Sequence, residues 1–289
     1  MLGPRTSRAV CRRRLQPSVS PAVTLTSRLR LNLLRLTASL AALLPALAPA
    51  PASAAFDEGS WSITPAFASQ YLFRGARLAG ASFQPSIDYT AGPLALGLWS
   101  NAALSDQISG DSDPEFDFYG TYLFSNDAGT LDFIPGFWLY THPDAQRSRG
   151  YHSLTFEPNL AVNFYVRGIR LTPQVYYDIM LKGATWELNA GFAVPLKTLG
   201  TTLEFLATAG TFKRTNVTAG ASPREKSWGD YYTVGARLPM TIGARSQIAL
   251  GVTHSIGRNH FFKQGTAPKY ANPDAGNHTA VTLSYTHSL

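Results

Sequence analysis

The sequence predicts an all-β protein: a transmembrane antiparallel up-and-down β-barrel of about 12 strands, after a cleaved signal peptide. Three observations predict it. Apolar and polar residues alternate with a period of two from Trp61 to Leu289, the mark of strands with one apolar and one polar face. Short turns and long polar loops alternate between those strands. The net positive charge of the chain comes from its first 55 residues.

The 289-residue chain carries 25 Lys and Arg against 18 Asp and Glu, a formal charge of +7. Such a balance points to nucleic acid or an anionic surface as partner. Eight arginines (Arg5, Arg8, Arg12, Arg13, Arg14, Arg28, Arg30 and Arg35) lie within residues 1–55, which hold no acid. The remaining 17 basic residues face all 18 acids, so residues 56–289 sum to −1. The nucleic-acid reading therefore lapses, and no nucleic-acid partner is expected.

Residues 28–55 run from an Arg-rich stretch through an apolar segment, Leu36 to Ala48, to Ala52-Ser53-Ala54-Ala55. This is the layout of a signal peptide, with cleavage expected after Ala54 or Ala55. Pro45, Pro49 and Pro51 break the segment too early for a membrane anchor. Residues 1–27 exceed what an n-region requires and fit either an upstream translation start or an Arg/Ser targeting segment. The division is thus 1–55, signal peptide and presequence, and 56–289, barrel. The single cysteine, Cys11, falls in the first part, which leaves no thiol for a disulfide, a metal or a nucleophile in the second.

Twelve strands follow in order: 60–75, 83–90, 94–102, 115–124, 130–140, 152–162, 169–179, 184–195, 201–212, 229–239, 246–255 and 277–289. Most have the length of a tilted strand that crosses a bilayer. In the first, Trp61, Ile63, Pro65, Phe67, Tyr71 and Phe73 share the apolar side; in the fourth, Phe116, Phe118, Tyr122 and Phe124 do so. In the seventh, Ile169, Leu171, Val175, Tyr177 and Ile179 alternate with Arg170, Thr172, Gln174, Tyr176 and Asp178. Short turns are expected at 91–93, 125–129, 163–168, 196–200 and 240–245, and longer loops at 76–82, 103–114, 141–151, 213–228 and 256–276. Only 180–183 breaks the rhythm. The apolar side of these strands is read as free of Asp, Glu, Lys and Arg. A charge facing lipid at mid-bilayer costs about 2–4 kcal/mol, so lipid outside and water inside explains the pattern better than a soluble sandwich. Against this, Pro65, Pro85, Pro135, Pro158 and Pro173 all fall on the apolar side within strands, where proline gives no ladder hydrogen bond.

The stretch Ser69-Gln-Tyr71-Leu-Phe73-Arg74-Gly75, with Gln84-Pro-Ser-Ile-Asp88-Tyr89, Gly97-Leu-Trp99-Ser-Asn101 and Glu115-Phe-Asp117-Phe-Tyr119-Gly120, resembles the opening of the TorF-type porin family. These are exported bacterial proteins with a Y-x-F-R-G segment. The resemblance is clearest over about 60–125 and implies an outer-membrane β-barrel, a porin. Such barrels usually close on an aromatic residue that the barrel-insertion machinery reads. Here Tyr285 is in phase and the last residue is Leu289.

Opposite the apolar side lie Asp88, Glu115, Asp117, Asp132, Glu157, Asp178, Glu187 and Glu204, with Arg74, Arg170 and Arg237. Eight acids against three bases predict an interior near −5. Trp99, Tyr119, Trp138, Tyr140, Tyr176 and Tyr231 share that parity. These residues are expected to line a passive channel for small hydrophilic solutes in the outer membrane of a Gram-negative bacterium, favouring cationic or neutral ones. The alternatives are a closed structural or adhesive barrel and a lipid-modifying barrel enzyme. Twelve strands lie between the filled eight-stranded barrel and the open sixteen-stranded one.

Neither catalysis nor a cofactor is expected. His254 and Ser255 are neighbours on a strand and face opposite sides, while His142, His152 and His260 sit at strand ends or in loops. Asp106, Asp111, Asp113 and Glu115 form an acidic loop without EF-hand spacing, so a solvated role is expected. Lys213, Arg214, Arg224 and Lys226 make a basic patch in a long loop, placed to meet lipopolysaccharide phosphates. Besides lipopolysaccharide, the expected partners are the bilayer, small solutes and the insertion machinery.

Overall fold

Strands with one apolar and one polar side can bury both polar edges only by closing on themselves. The computed structural model shows that closure. It describes residues 59–106, 114–145, 152–215, 226–259 and 275–289; the expected signal peptide, residues 1–55, lies outside the described residues. The chain forms β1 (Ser60–Thr64), β2 (Ala66–Ala68), β3 (Tyr71–Phe73), β4 (Ala76–Ala79), β5 (Ser82–Phe83), β6 (Ser86–Ala91), β7 (Leu94–Ala103), β8 (Glu115–Tyr122) and β9 (Phe124–Ser125). It continues with β10 (Leu131–Thr141), β11 (Leu154–Val166), β12 (Ile169–Asp178), β13 (Gly183–Leu196), β14 (Thr201–Thr215), β15 (Lys226–Gly243), β16 (Ser246–Asn259) and β17 (Asn277–Ser288).

Three wall strands are interrupted and consist of β1 with β2, β5 with β6, and β8 with β9. Counted so, twelve antiparallel strands form the wall, each beside its sequence neighbour. β17 then pairs with the first strand, through Ile63↔His287 and Leu283↔Phe67, and shuts the barrel.

Polarity is inverted relative to a water-soluble fold. Trp61, Phe118, Trp186, Leu188, Tyr232 and Val234 are exposed on the outer surface, whereas Glu157, Asp178, Thr185 and Asn101 are buried inside. An apolar belt around a polar interior is the arrangement of a barrel set in lipid. One correction applies to that belt. Asp230 shares the outward parity of Tyr232, at the long-loop end of β15, where its cross-strand partner is Arg258. This is the rim, where a charge reaches water.

The five prolines find their explanation in the ladders. Pro65 and Pro85 stand in the breaks between β1 and β2 and between β5 and β6. Their carbonyls still accept from Tyr285 N and Ser100 N, each at 3.0 Å. Pro135 stands opposite the break at Leu123, since β10 pairs Gly136 with Thr121 and Phe133 with Phe124. Between β11 and β12 the register passes from Ala161↔Gln174 directly to Phe164↔Leu171, which skips Pro173, and it begins at Asn159↔Tyr176, one residue past Pro158. Each proline thus occupies a place where one of its two ladders lacks a paired residue, as expected of a residue that gives no N–H to the ladder.

The largest departure from the expected pattern lies at the end of the first strand. Residues 60–75 do not run straight, and 76–82 is not a loop. Arg74 and Gly75, at φ 46° and 81°, make a two-residue turn of the kind that joins hairpin strands. It folds β3 back on β4, with Phe73 paired to Ala76. Tyr71 and Phe73, in phase with the lipid-facing residues, turn inward instead. Tyr71, Ala76, Leu78 and Ala79 form a buried cluster packed by Phe73, Trp99 and Ala103. The tip of this hairpin touches the wall backbone to backbone: a Cβ on Gly257 of β16 would overlap the carbonyl of Gly75.

A second correction concerns the basic patch. β14 runs on to Thr215, so Lys213 and Arg214 belong to a strand and take opposite sides, Lys213 exposed and Arg214 buried inside. Alternation past residue 212 places them so. Arg224 lies outside the described residues.

The belt sets a mutational test. Leu250→Arg, at an exposed outer position in the middle of β16, lowers the unfolding free energy in lipid vesicles by about 2–4 kcal/mol. Thr253→Arg, of inward parity on the same strand, costs less than about 1 kcal/mol. Denaturant titration by tryptophan fluorescence measures both.

Candidate functional site

The interior begins, at the long-loop end, with a buried ion cluster that ties the hairpin to the wall. Glu157 of β11 is fully buried and accepts from both guanidinium nitrogens of Arg74, at 3.1 and 2.8 Å. Arg214 Nη2 lies 2.5 Å from Oε1 of the same carboxylate, and Tyr140 donates to Oε2 at 3.3 Å. Arg214 also reaches Asp178 at 3.4 Å and Thr185 at 2.5 Å. Asp178 in turn accepts from Leu181 N at 2.7 Å and thereby caps the short 179–182 connection. Arg74 completes its contacts by lying over the Phe73 and Tyr176 rings. Asp178 supplies a second negative charge against the two guanidiniums that share Glu157.

Glu115 is not part of an acidic loop: it is the first residue of β8, is buried, and accepts from the Tyr71 hydroxyl at 2.9 Å. His142 Nε2 is 3.8 Å from Glu115. Burial pushes the His142 imidazole down to about 4, so at neutral pH this contact joins a neutral ring to a carboxylate. Asp106 faces Arg77 at 3.9 Å; Asp111 and Asp113 lie outside the described residues.

Below the hairpin the interior opens into a chamber of about 430 Å³ bounded by Arg74, Trp99, Asp117, Tyr119, Trp138 and Tyr176, among others. Its rings pack in register. The Tyr119 and Trp138 centroids are 4.6 Å apart, and Trp138 stacks on Tyr140 at 6.0 Å. Glycines make room for the tyrosines: Tyr119 lies across Gly97 to donate to Asp88, and Tyr231 lies across Gly210 to donate to Glu187. Glu187 also accepts from Tyr176 at 3.0 Å.

Nearer the short-turn end a second cavity, of about 420 Å³, is lined by Asn163, Arg170, Thr172, Gln174, Asn189 and Thr208, among others. Asp132 accepts from Ser125, Asn163 and Tyr165, and Arg237 pairs with Glu204 at 3.0 Å and with Gln247. The residues expected to be charged and inward therefore fall into three groups along the axis rather than one ring. Among the described residues, Arg214 joins the three bases expected to face inward.

Two contributors escaped the sequence reading. The Arg74-Gly75 pair between apolar runs is a hairpin signal, and the inward parity of Glu204, Thr208 and Phe212 leads directly to Arg214. Of the histidines considered, His254 bonds Thr279 at 2.9 Å, while Ser255 is buried on the other side; His260 lies outside the described residues. A Ser–His contact does occur at the short-turn rim, Ser246 Oγ to His287 Nδ1 at 3.0 Å, and Tyr285 shares that hydroxyl at 3.1 Å.

Residues 57–172 match one family model. Its description is Gcw_chp, a bacterial protein of unknown function; it assigns no activity and does not carry the TorF-type label. No curated protein is similar to the chain in sequence. Among solved structures, the KdgM porin is 12% identical, with a TM-score of 0.45 over 79% of this chain and 99% of that one. The NanC porin is 9% identical, with a TM-score of 0.48 over 79% and 100%. An outer membrane channel from Pseudomonas putida F1 is 11% identical, with a TM-score of 0.45 over 83% and 99%.

The cluster makes Glu157 the most sensitive interior position. Glu157→Gln leaves two buried guanidiniums face to face and lowers unfolding free energy by about 3–5 kcal/mol. Tyr140→Phe removes one long hydrogen bond and costs about 1 kcal/mol. Denaturant midpoints of the refolded variants measure the difference.

Proposed function

We propose that this barrel is a passive outer-membrane channel for small hydrophilic solutes, with a net-acidic, aromatic interior that favours cationic or neutral ones. The observation that carries the reading is the continuity of the interior. The chamber under the hairpin and the cavity toward the short turns share Tyr176, Glu187 and Thr208, so the two spaces adjoin along the β12–β14 wall below the hairpin. Over the inward residues named above, eight carboxylates stand against four guanidiniums, and a fixed charge excess of that sign lowers the barrier for cations and raises it for anions. Export by a signal peptide and placement in a Gram-negative outer membrane belong to the same reading.

A closed structural barrel is the second reading, favoured by one observation: the hairpin and its ion cluster occupy the long-loop end of the interior. Both readings place the hairpin as the narrowest point. On the channel reading, Arg74 and Glu157 set the bore and the remaining wall charges set its sign. On the closed reading, the same pair seals it. Lipopolysaccharide phosphates would meet Lys213 and Arg258 at the rim, and the insertion machinery would act through β17. Catalysis has no role in either reading.

Planar-bilayer recording of refolded protein, with folding established by heat-modifiable gel mobility, separates the two. The channel reading predicts small ion steps, a reversal potential of cation-selective sign under a salt gradient, and larger steps when residues 72–79 are replaced by a short Gly-Ser link. Silence from the folded barrel sinks the channel, and an anion-selective potential sinks the charge assignment.

A further inference from the structure

Among the described residues, the interior carboxylates of the wall are satisfied by their neighbours, with one exception. Glu157 and Asp178 face guanidiniums, Glu204 faces Arg237, and Asp88, Glu115, Asp132 and Glu187 accept from tyrosine hydroxyls. Asp117 differs. It is 3% exposed, it borders the chamber under the hairpin, and its Oδ1 is buried without a hydrogen-bond partner among the described residues. A buried acceptor left unpaired is costly, and this one stands in the wall of a cavity, where a positive charge need not touch Oδ1 to be attracted by it.

The surroundings select which. In the sheet register Asp117 stands between Trp99 on β7 and Tyr140 on β10. The Tyr71 ring of the hairpin packs on Trp99 with centroids 5.5 Å apart. One row lower, Tyr119 and Trp138 form the next pair. Aromatic faces carry negative potential and attract cations, most strongly those of weakly hydrated ammonium type. A divalent metal ion would need about six oxygen ligands, and this place presents one carboxylate without a partner amid rings. A neutral sugar would use the rings but would gain nothing from the unpaired charge. The remaining base bordering the chamber, Arg74, is already bound on both guanidinium nitrogens by Glu157, so it does not neutralise Asp117.

We propose that the chamber beneath the β3–β4 hairpin is a binding site for a small organic cation bearing an ammonium group, with Asp117 as counter-charge and Trp99, Tyr140 and Trp138 as its aromatic walls. The site rests on the channel reading only for the route by which the cation arrives; binding itself does not require conduction.

Choline chloride titrated into refolded protein in detergent, read by tryptophan fluorescence, tests it. Trp99 and Trp138 border the site, and sodium chloride at matched ionic strength, glucose and sodium acetate serve as comparison probes. The expected result is a saturable change with choline alone, whose affinity falls about tenfold or more in Asp117→Asn at unchanged heat-modifiable mobility. Should Asp117→Asn fail to fold, Trp99→Leu carries the same expectation. A saturable glucose signal of equal strength, an affinity for choline that the variant leaves unchanged, or no saturable response to choline overturns the proposal. Bilayer steps without choline binding leave the channel standing and remove the site; choline binding without steps does the reverse.

Discussion

The structure depends on one constraint: in lipid, the N–H and C=O of each wall strand have no water to turn to. A sheet meets that constraint only by closing, which is why β17 returns to β1 and β2 at opposite ends of the chain. Closure fixes the parity of the wall residues, and parity sorts the side chains into belt and interior. It also explains the prolines. Pro135, Pro158 and Pro173 each stand at a gap in one ladder, and the Thr172 hydroxyl bonds Asn163 at 2.7 Å within the gap next to Pro173. Backbone saturation is thus kept by choosing where it lapses.

The second consequence of closure is that the polar faces meet one another across a confined space. Carboxylates crowded there need donors, and the wall supplies them in two ways. Tyrosines reach across glycines in neighbouring strands, as Tyr119 does over Gly97 and Tyr231 over Gly210. Arginines come from places that break the simple hairpin rhythm, Arg74 from the inserted turn and Arg214 from the far end of β14. The charge pattern therefore grades along the axis, from a neutralised knot at the long-loop end to partly open pairs such as Arg237 with Glu204 near the short turns.

Most of the wall was legible because a period of two admits little ambiguity once one face carries Phe118, Tyr177 and Ile179 and the other Asp117, Asp178 and Tyr176. The interior residues followed from the same parity. Illegible were the places where parity is a poor guide. Tyr71 and Phe73 continue the outward phase, and nothing in their own chemistry announces that Arg74-Gly75 will reverse the chain; the turn signal lay in the dipeptide, outside the alternation. Arg214 was misplaced because its charged neighbour Lys213 made the segment resemble a loop, while the strand in fact continues until Lys213 reaches the water at the rim. Ladder breaks at Leu123 and beside Pro173 involve partners far apart in sequence and become visible only with the register in hand.

The contact between Gly75 and Gly257 spans the seam of the barrel. One glycine belongs to the hairpin after the first wall strand, the other to the eleventh, and the twelfth strand lies between them in the sheet. Their meeting presupposes that the last strand has already found the first. The hairpin is therefore an inspector of assembly: an unfinished, open sheet offers its tip no seat, and the buried Arg74 charge has no neutralising partner arranged around it. The seat of the hairpin's tip thus exists only where the two ends of the sheet have met, and the polar knot at the long-loop end belongs to the closed barrel alone.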